Sequence, residues 1–199
     1  MSNINSPEYW DQVYESERGT GKRRIDSERL QYVIYEMINH QSNNPHEDAY
    51  RLLDVGCGNG EMLRLLHANL PEWKFYGIDI TPKTIAWARA IDPQFDYRVM
   101  PAVDITLSTD FFDIVFCGET LEHLEGPEAA VFQMMRVLKP NGVLICSVPN
   151  ERNNRSPEHI NEFTVFDALK LTTGGDMTKL INVNVKCGGI STIWTTKKG

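Results

Sequence analysis

The sequence predicts an α/β fold: a doubly wound, mostly parallel sheet with helices on both faces and an antiparallel pair at one edge. Two observations carry this expectation. Short apolar runs alternate with helix-like segments from Arg51 onward, and such alternation builds a parallel sheet covered on both sides. The first run, Arg51–Val55, leads straight into Gly56-Cys57-Gly58-Asn59-Gly60 and a helix-like segment. A glycine turn at a strand–helix junction marks the ligand-binding end of an open sheet.

Before Arg51 no segment reads as a strand. Glu8–Glu17 and Ser27–Asn39 are expected helices; in the second, Leu30, Val33, Ile34, Met37 and Ile38 recur at helical spacing. The polar stretch ERGTGKRR lies between them. Expected strands are Arg51–Val55, Lys74–Ile80, Asp96–Pro101, Ile114–Gly118 and Gly142–Val148. Expected helices are Glu61–Leu70, Pro82–Ala90, Pro127–Val137 and Val165–Thr172. Thr81 before Pro82 offers an N-cap with proline at the first helical position, and Thr164 is a similar candidate. Ile181–Lys186 and Ile190–Thr195 read as two strands turning around Cys187–Gly189.

A chain of 199 residues, 41% hydrophobic, fills one core rather than two. Its net charge of −7 disfavours nucleic acid as a partner, although Lys22, Arg23 and Arg24 form a local basic cluster. Cys57, Cys117, Cys146 and Cys187 show no CxxC and no Cys/His pairing, so neither a zinc nor a redox motif is visible. No metal ligand is assigned on this basis. The start, MSNINSPEYW, lacks a signal pattern, and no apolar run reaches the roughly 18 residues of a membrane span. The expectation is a cytoplasmic protein with no membrane partner.

Three glycines in the five residues Gly56–Gly60 permit a tight turn with a ligand close to the backbone. The helix that follows is expected to offer free N–H groups and a positive dipole end. Dinucleotide folds and S-adenosylmethionine (SAM) folds both use such a turn. The dinucleotide pattern is GxGxxG, but Glu61 stands at its sixth position. A carboxylate there repels a pyrophosphate, and SAM carries none. Asp54 can attract an ammonium or sulfonium, or else simply stabilise the turn. Asp79 ends the next strand, placed to accept from vicinal ribose hydroxyls, or alternatively to cap the helix after it.

With FDIVFCGETLEHL and LKPNGVLICSVPN, these residues resemble the class I SAM-dependent methyltransferases, of the small-molecule type. The resemblance runs from about Arg51 to Asn150, through LDVGCGNGE, Asp79, FDIVFCGETLEH and LKPNGVL in order. It implies a Rossmann-like, doubly wound mixed seven-stranded sheet ending in an antiparallel hairpin. It implies one domain over residues 1–199: a helical cap over 1–50, a SAM-binding core over 51–150, and an acceptor-side loop with the last strands over 151–199. Asp54, Gly56, Gly58 and Asn59 would line the methionine part of SAM; Asp79 would hold the ribose and Ile80 pack on adenine. The loop that usually reads GDAED is Met100-Pro101-Ala102-Val103-Asp104 here. Val103 and Asp104, with backbone carbonyls, would serve the adenine.

Cys117, Gly118 and Glu119 would meet the methyl-bearing end of SAM. Glu119, Glu122 and His123 are spaced to share a face if the segment is helical. His123 is a candidate base for an acceptor hydroxyl, with Glu119 beside it; the bland alternative is a helix-capping pair. The same residues with His159 resemble the ExxEH…H arrangement of metal-dependent methyltransferases acting on the terminal ribose of small RNAs, without that family's HxH pair. HINEFT resembles the acceptor loop of small-molecule methyltransferases, so that His159 and Asn150 face the acceptor or brace the loop. Tyr9, Trp10 and Tyr14 are placed to close over SAM, with Arg18 following. The expected reaction is methyl transfer from SAM to an O, N or C nucleophile of a small molecule, leaving S-adenosylhomocysteine. Two other classes stand beside it: a dinucleotide oxidoreductase, against which Glu61 speaks, and a non-catalytic SAM-binding subunit.

Overall fold

In the computed structural model the apolar runs become five parallel strands: β1 (Arg51–Val55), β2 (Lys74–Asp79), β3 (Asp96–Val99), β4 (Phe112–Gly118) and β5 (Leu138–Pro149). They lie in the order β3-β2-β1-β4-β5. The structure describes residues 5–17, 25, 27–149, 158–164, 167, 170–171, 180–182 and 191–198. Within the strands successive side chains point to opposite faces. Leu53, Val55, Val115, Cys117, Leu144 and Cys146 enter one core, against Ala130, Met134 and Val137 of helix α5 (Pro127–Val137). Leu52, Ile114, Phe116, Val143 and Ile145 enter the other. That second core is covered by α2 (Ser27–Asn43), α3 (Glu61–Asn69) and α4 (Pro82–Ile91), through Met37, Leu63, Leu66 and Ile85. Burial on both faces explains why the strands read as continuous apolar runs rather than alternations.

Beyond β5, Ser191–Lys197 runs antiparallel to it, and Leu180–Asn182 runs antiparallel to Ser191–Lys197. The expected turn at Cys187–Gly189 and the strand residues 183–186 lie outside the described residues, as do Lys22, Arg23, Arg24, Arg18 and Asn150. Among the described residues no helix is long and apolar enough to cross a membrane.

Helix α2 and strand β5 extend furthest past their expected bounds, each for a local reason. Helix α2 continues past Asn39 to Asn43, and Asn44 closes it, its backbone and side-chain amides donating to the His40 carbonyl at 2.9 and 3.0 Å. Strand β5 starts at Leu138 because Leu138 pairs with Phe112 across a register shift. Of the two expected caps, Thr164 behaves as one: its hydroxyl accepts from the Asp167 amide at 3.2 Å, and its own amide donates to Asp167 Oδ2 at 3.3 Å. Thr81 holds the cap position of α4, but its hydroxyl turns to Asp79 at 2.5 Å instead.

Asp113, buried at the start of β4, ties α2 to the sheet. Its carboxylate accepts from Lys139 Nζ at 2.8 and 3.0 Å and from the Arg51 amide at 2.9 Å; His46 Nε2 lies at 3.2 Å and His40 Nε2 at 3.8 Å. Burial alone would raise its pKa, but nearby His40 and the hydrogen bonds from Lys139 and the Arg51 amide outweigh it and hold the carboxyl well below its usual 3.8. A depressed carboxyl stabilises the fold above its unfolded value and loses that contribution as pH falls. Asp113→Asn is therefore expected to cost about 2–3 kcal/mol at pH 7 in denaturant titrations. The deficit relative to the parent should shrink below about pH 4, as the parent's carboxylate takes up its proton.

Candidate functional site

Strand order reverses between β1 and β4, and the crevice beyond their carboxyl ends is where an open sheet takes its ligand. A cavity of about 670 Å³ opens there. Gly56, Asp79, Ile80, Val103, Glu119 and His123, all named from the sequence, line it. Asp54, Gly58, Asn59, Asp104, Cys117 and Gly118 are absent from its wall. Asp54 and Cys117 are buried behind it, at 3% and 0% exposure. The Asp104 amide closes a turn onto the Pro101 carbonyl at 3.1 Å.

The turn at Gly56–Gly60 is built differently from the expected row of free amides. Gly56 and Cys57 donate to the Ile78 carbonyl at 2.8 and 3.0 Å, Gly60 donates to Cys57 at 3.0 Å, and Gly58 donates to Asp79 Oδ2 at 2.9 Å. Asn59 Oδ1 accepts from the Glu61 amide at 3.1 Å, so Asn59 caps α3 rather than facing the cavity. Glu61 then sits in the first helical turn, where a negative charge suits the dipole. The turn spends most of its amides on its own shape.

The cation that the turn lacks comes from α2. Arg29 Nη2 lies 3.0 Å from Glu119 Oε1, and its charge also acts on Asp54. Burial first, then repulsion from Asp79, pushes the Asp54 carboxyl up to about 8, with Arg29 opposing. Arg29 went unnoticed in the sequence because a lone arginine on a helix's polar side resembles any solvated one. Glu119 has a positive φ of 53° and accepts from the Ser147 hydroxyl at 3.2 Å.

Asp79 is 8% exposed and already serves the protein: Oδ1 accepts from the Thr81 amide at 3.0 Å and from the Thr81 hydroxyl, and Oδ2 from Gly58. Burial raises its carboxyl and these bonds partly offset the rise. A carboxylate has about four acceptor positions, so Oδ2 retains room for one further donor.

The expectation that Glu119, Glu122 and His123 share one helical face does not hold. The positive φ at Glu119 turns the chain before a single 3₁₀ turn, Leu121–His123. Glu122 is buried at 1% exposure, while His123 reaches the cavity. Glu122, His123 and His159 instead converge, with one ligand atom from each within 4.8 Å of the others. Glu119 is outside that cluster. From α1 (Pro7–Glu17), Pro7, Trp10 and Tyr14 line the cavity, as expected of a covering helix, whereas Tyr9 bonds Glu158. The Tyr14 hydroxyl lies 2.5 Å from where a Cβ on Gly58 would stand, so only glycine fits beneath it.

Residues 53–146 match the family model described as a methyltransferase domain. Over this stretch, just under half of the chain, the sequence is similar to class I SAM-dependent methyltransferases. The chain is 36% identical over 113 residues to the ubiquinone biosynthesis O-methyltransferase of Cereibacter sphaeroides, a match covering 53% of this chain and 43% of that one. The chain spans about half the length of the curated relatives it matches. A chain from the complex between the Haloferax volcanii Trm112 methyltransferase activator and a methyltransferase superposes with a TM-score of 0.70 at 16% identity, covering 97% of each. The cyclase SpnF superposes with a TM-score of 0.65 at 20% identity, covering 86% of this chain and 73% of that one. These likenesses fix the fold; a cyclase among them means the fold alone does not fix the reaction. Family and fold together imply the use of SAM.

Proposed function

We propose that the chain transfers a methyl group from SAM to a small-molecule hydroxyl, releasing S-adenosylhomocysteine. The observation that carries this reading is the single cavity joining nucleoside-binding residues at one end to His123 at the other. Asp79 Oδ2 takes one ribose hydroxyl, and Ile80 and Val103 hold the adenine. Arg29 faces the methionine carboxylate; Glu119 is the acid for its cationic end, with Asp54 behind the wall. Asn59, Gly58, Cys117, Gly118 and Asp104 shape the wall from behind. The seven-stranded closure of the sheet with its hairpin edge belongs to the same reading, as does a cytoplasmic location.

Oxygen is favoured as the acceptor atom because the curated relatives are named O-methyltransferases. Trp10, Leu124 and Ala129 give the acceptor end an apolar wall with one aromatic ring, suited to a phenolic acceptor. In the reaction the S–CH₃ bond breaks as the acceptor O–CH₃ bond forms. The sulfonium becomes a neutral thioether, and the hydroxyl proton passes to His123 Nε2. Glu122 Oε1, 3.6 Å from that nitrogen, stabilises the imidazolium. Alignment in a closed cavity supplies most of the remaining acceleration.

The convergence of Glu122, His123 and His159 supports a second reading, in which a divalent cation binds there and activates the hydroxyl. Transfer of labelled methyl from SAM to catechol, with the His123→Ala variant and a chelator, tests both. The base reading expects a loss of about 10²–10⁴ in kcat for His123→Ala and no effect of chelator. Loss of activity with chelator and its return with a divalent ion select the second reading. Full activity of His123→Ala removes both.

A further inference from the structure

His123 is held by more than its own turn. Its Nδ1 lies 2.9 Å from the Glu158 carbonyl oxygen. A carbonyl can only accept, so Nδ1 carries the hydrogen and the neutral ring keeps its lone pair on Nε2. That same carbonyl accepts from Asn5 Nδ2 at 3.3 Å, and the Tyr9 hydroxyl donates to Glu158 Oε1 at 2.7 Å. Trp10 packs edge-on against the His123 ring with 4.6 Å between centroids. The segment after Glu158 is stitched to the His123 turn: the Ile160 and Asn161 amides donate to the Glu122 carbonyl at 2.9 and 3.0 Å, and Asn161 Nδ2 donates to the Leu124 carbonyl at 2.6 Å.

Resting on the reading that His123 Nε2 faces the acceptor or its cation, we propose that Asn5, Tyr9 and Glu158 are positioning residues. Docking of the α1 end on Glu158 fixes the tautomer and orientation of His123, so the helix that covers the cofactor also readies the nitrogen that acts. Neither Tyr9 nor Glu158 lines the cavity; both act through the ring. With α1 displaced, Glu158 loses the Asn5 bond to its carbonyl and the Tyr9 bond to its carboxylate, and His123 is released to carry its hydrogen on Nε2, where it can neither take a proton nor bind a cation. Transfer is then confined to the closed cavity. The titratable groups around the ring are Glu122, Glu158 and His159, with Glu119 and Glu125 across the cavity. Burial raises the Glu158 carboxyl, but the Tyr9 hydrogen bond and the charges of His123 and His159 bring it below its usual range.

The test is nitrogen NMR of the imidazole rings in the full ¹⁵N-labelled chain, with and without S-adenosylhomocysteine, using a His123→Gln spectrum for assignment. The parent should show His123 in the Nδ1–H form above its titration midpoint. Tyr9→Phe removes one oxygen and should move the tautomer ratio toward Nε2–H on the order of tenfold. Glu158→Gln keeps an acceptor for Tyr9 and should hold the tautomer. An Nε2–H parent, or a ratio unmoved by Tyr9→Phe with the thermal midpoint unchanged, overturns the proposal. Methyl transfer by His123→Ala separates the two levels. Full activity there removes the acting-nitrogen reading whatever the tautomer; an inactive His123→Ala with an unmoved Tyr9→Phe ratio removes the latch alone.

Discussion

Replacing Gly60 with alanine is expected to destabilise the fold by about 2–5 kcal/mol, more than any other single methyl group added at the site. Gly60 stands at the N-cap of α3 with φ of 78°, a left-handed conformation that costs an L side chain about 1–2 kcal/mol. A Cβ there would also lie 2.0 Å from the Tyr97 hydroxyl and 2.7 Å from Cζ. That ring is 2% exposed and packed among Phe75, Phe95 and Met62, so it has nowhere to go. Two comparisons in the same denaturant titrations isolate the cause. Gly126→Ala, whose Cβ would meet only Ala129 at 3.9 Å, should lie within about 0.5 kcal/mol of the parent. Tyr97→Phe should be neutral or stabilising, because the Tyr97 hydroxyl is buried without a hydrogen-bond partner among the described residues. A Gly60→Ala protein as stable as the parent would show that the turn is looser than described.

Asp79→Ala should weaken S-adenosylhomocysteine binding about 100-fold. Two losses combine: the charged hydrogen bond to a ribose hydroxyl, of about 1.5–3 kcal/mol, and the anchor for the turn. Without the carboxylate the Gly58 amide and the Thr81 amide and hydroxyl lose their acceptor. The glycine turn then relaxes over the surface that the methionine part must contact. Asp79→Asn retains one carbonyl oxygen and should fall between the two. If instead Asp79 served only to cap α4, both substitutions would lower stability and leave affinity untouched.

The fold was legible because hydrophobic runs and breaker residues act locally. Arg51–Val55 and Pro127–Val137 lie where their patterns place them, since each run is short and bounded by polar or glycine residues. The ends of α2 and β5 were not, because they are set by partners far along the chain or by side chains closing on the backbone: Phe112 for Leu138, Asn44 for His40. Gly56, Asp79, Ile80 and Val103 were legible as residues that line the cavity beyond the strand ends. The surroundings of Glu119 and His123 depend on long-range contacts. No spacing in GETLEH shows that Glu119 turns away through a positive φ to meet Arg29, or that His123 is bonded by Glu158. Hydrogen-bond capacity was equally invisible: Asp79 reads as a free carboxylate until Thr81 and Gly58 are seen to occupy it.

Calorimetric titration of the full chain with S-adenosylhomocysteine and, separately, with NAD tests the assignment of this cavity most directly. The assignment predicts saturable one-to-one binding of S-adenosylhomocysteine, about 100-fold weaker in Asp79→Ala, and no saturable binding of NAD. Binding of NAD alone, or binding of S-adenosylhomocysteine that is indifferent to Asp79, would contradict it.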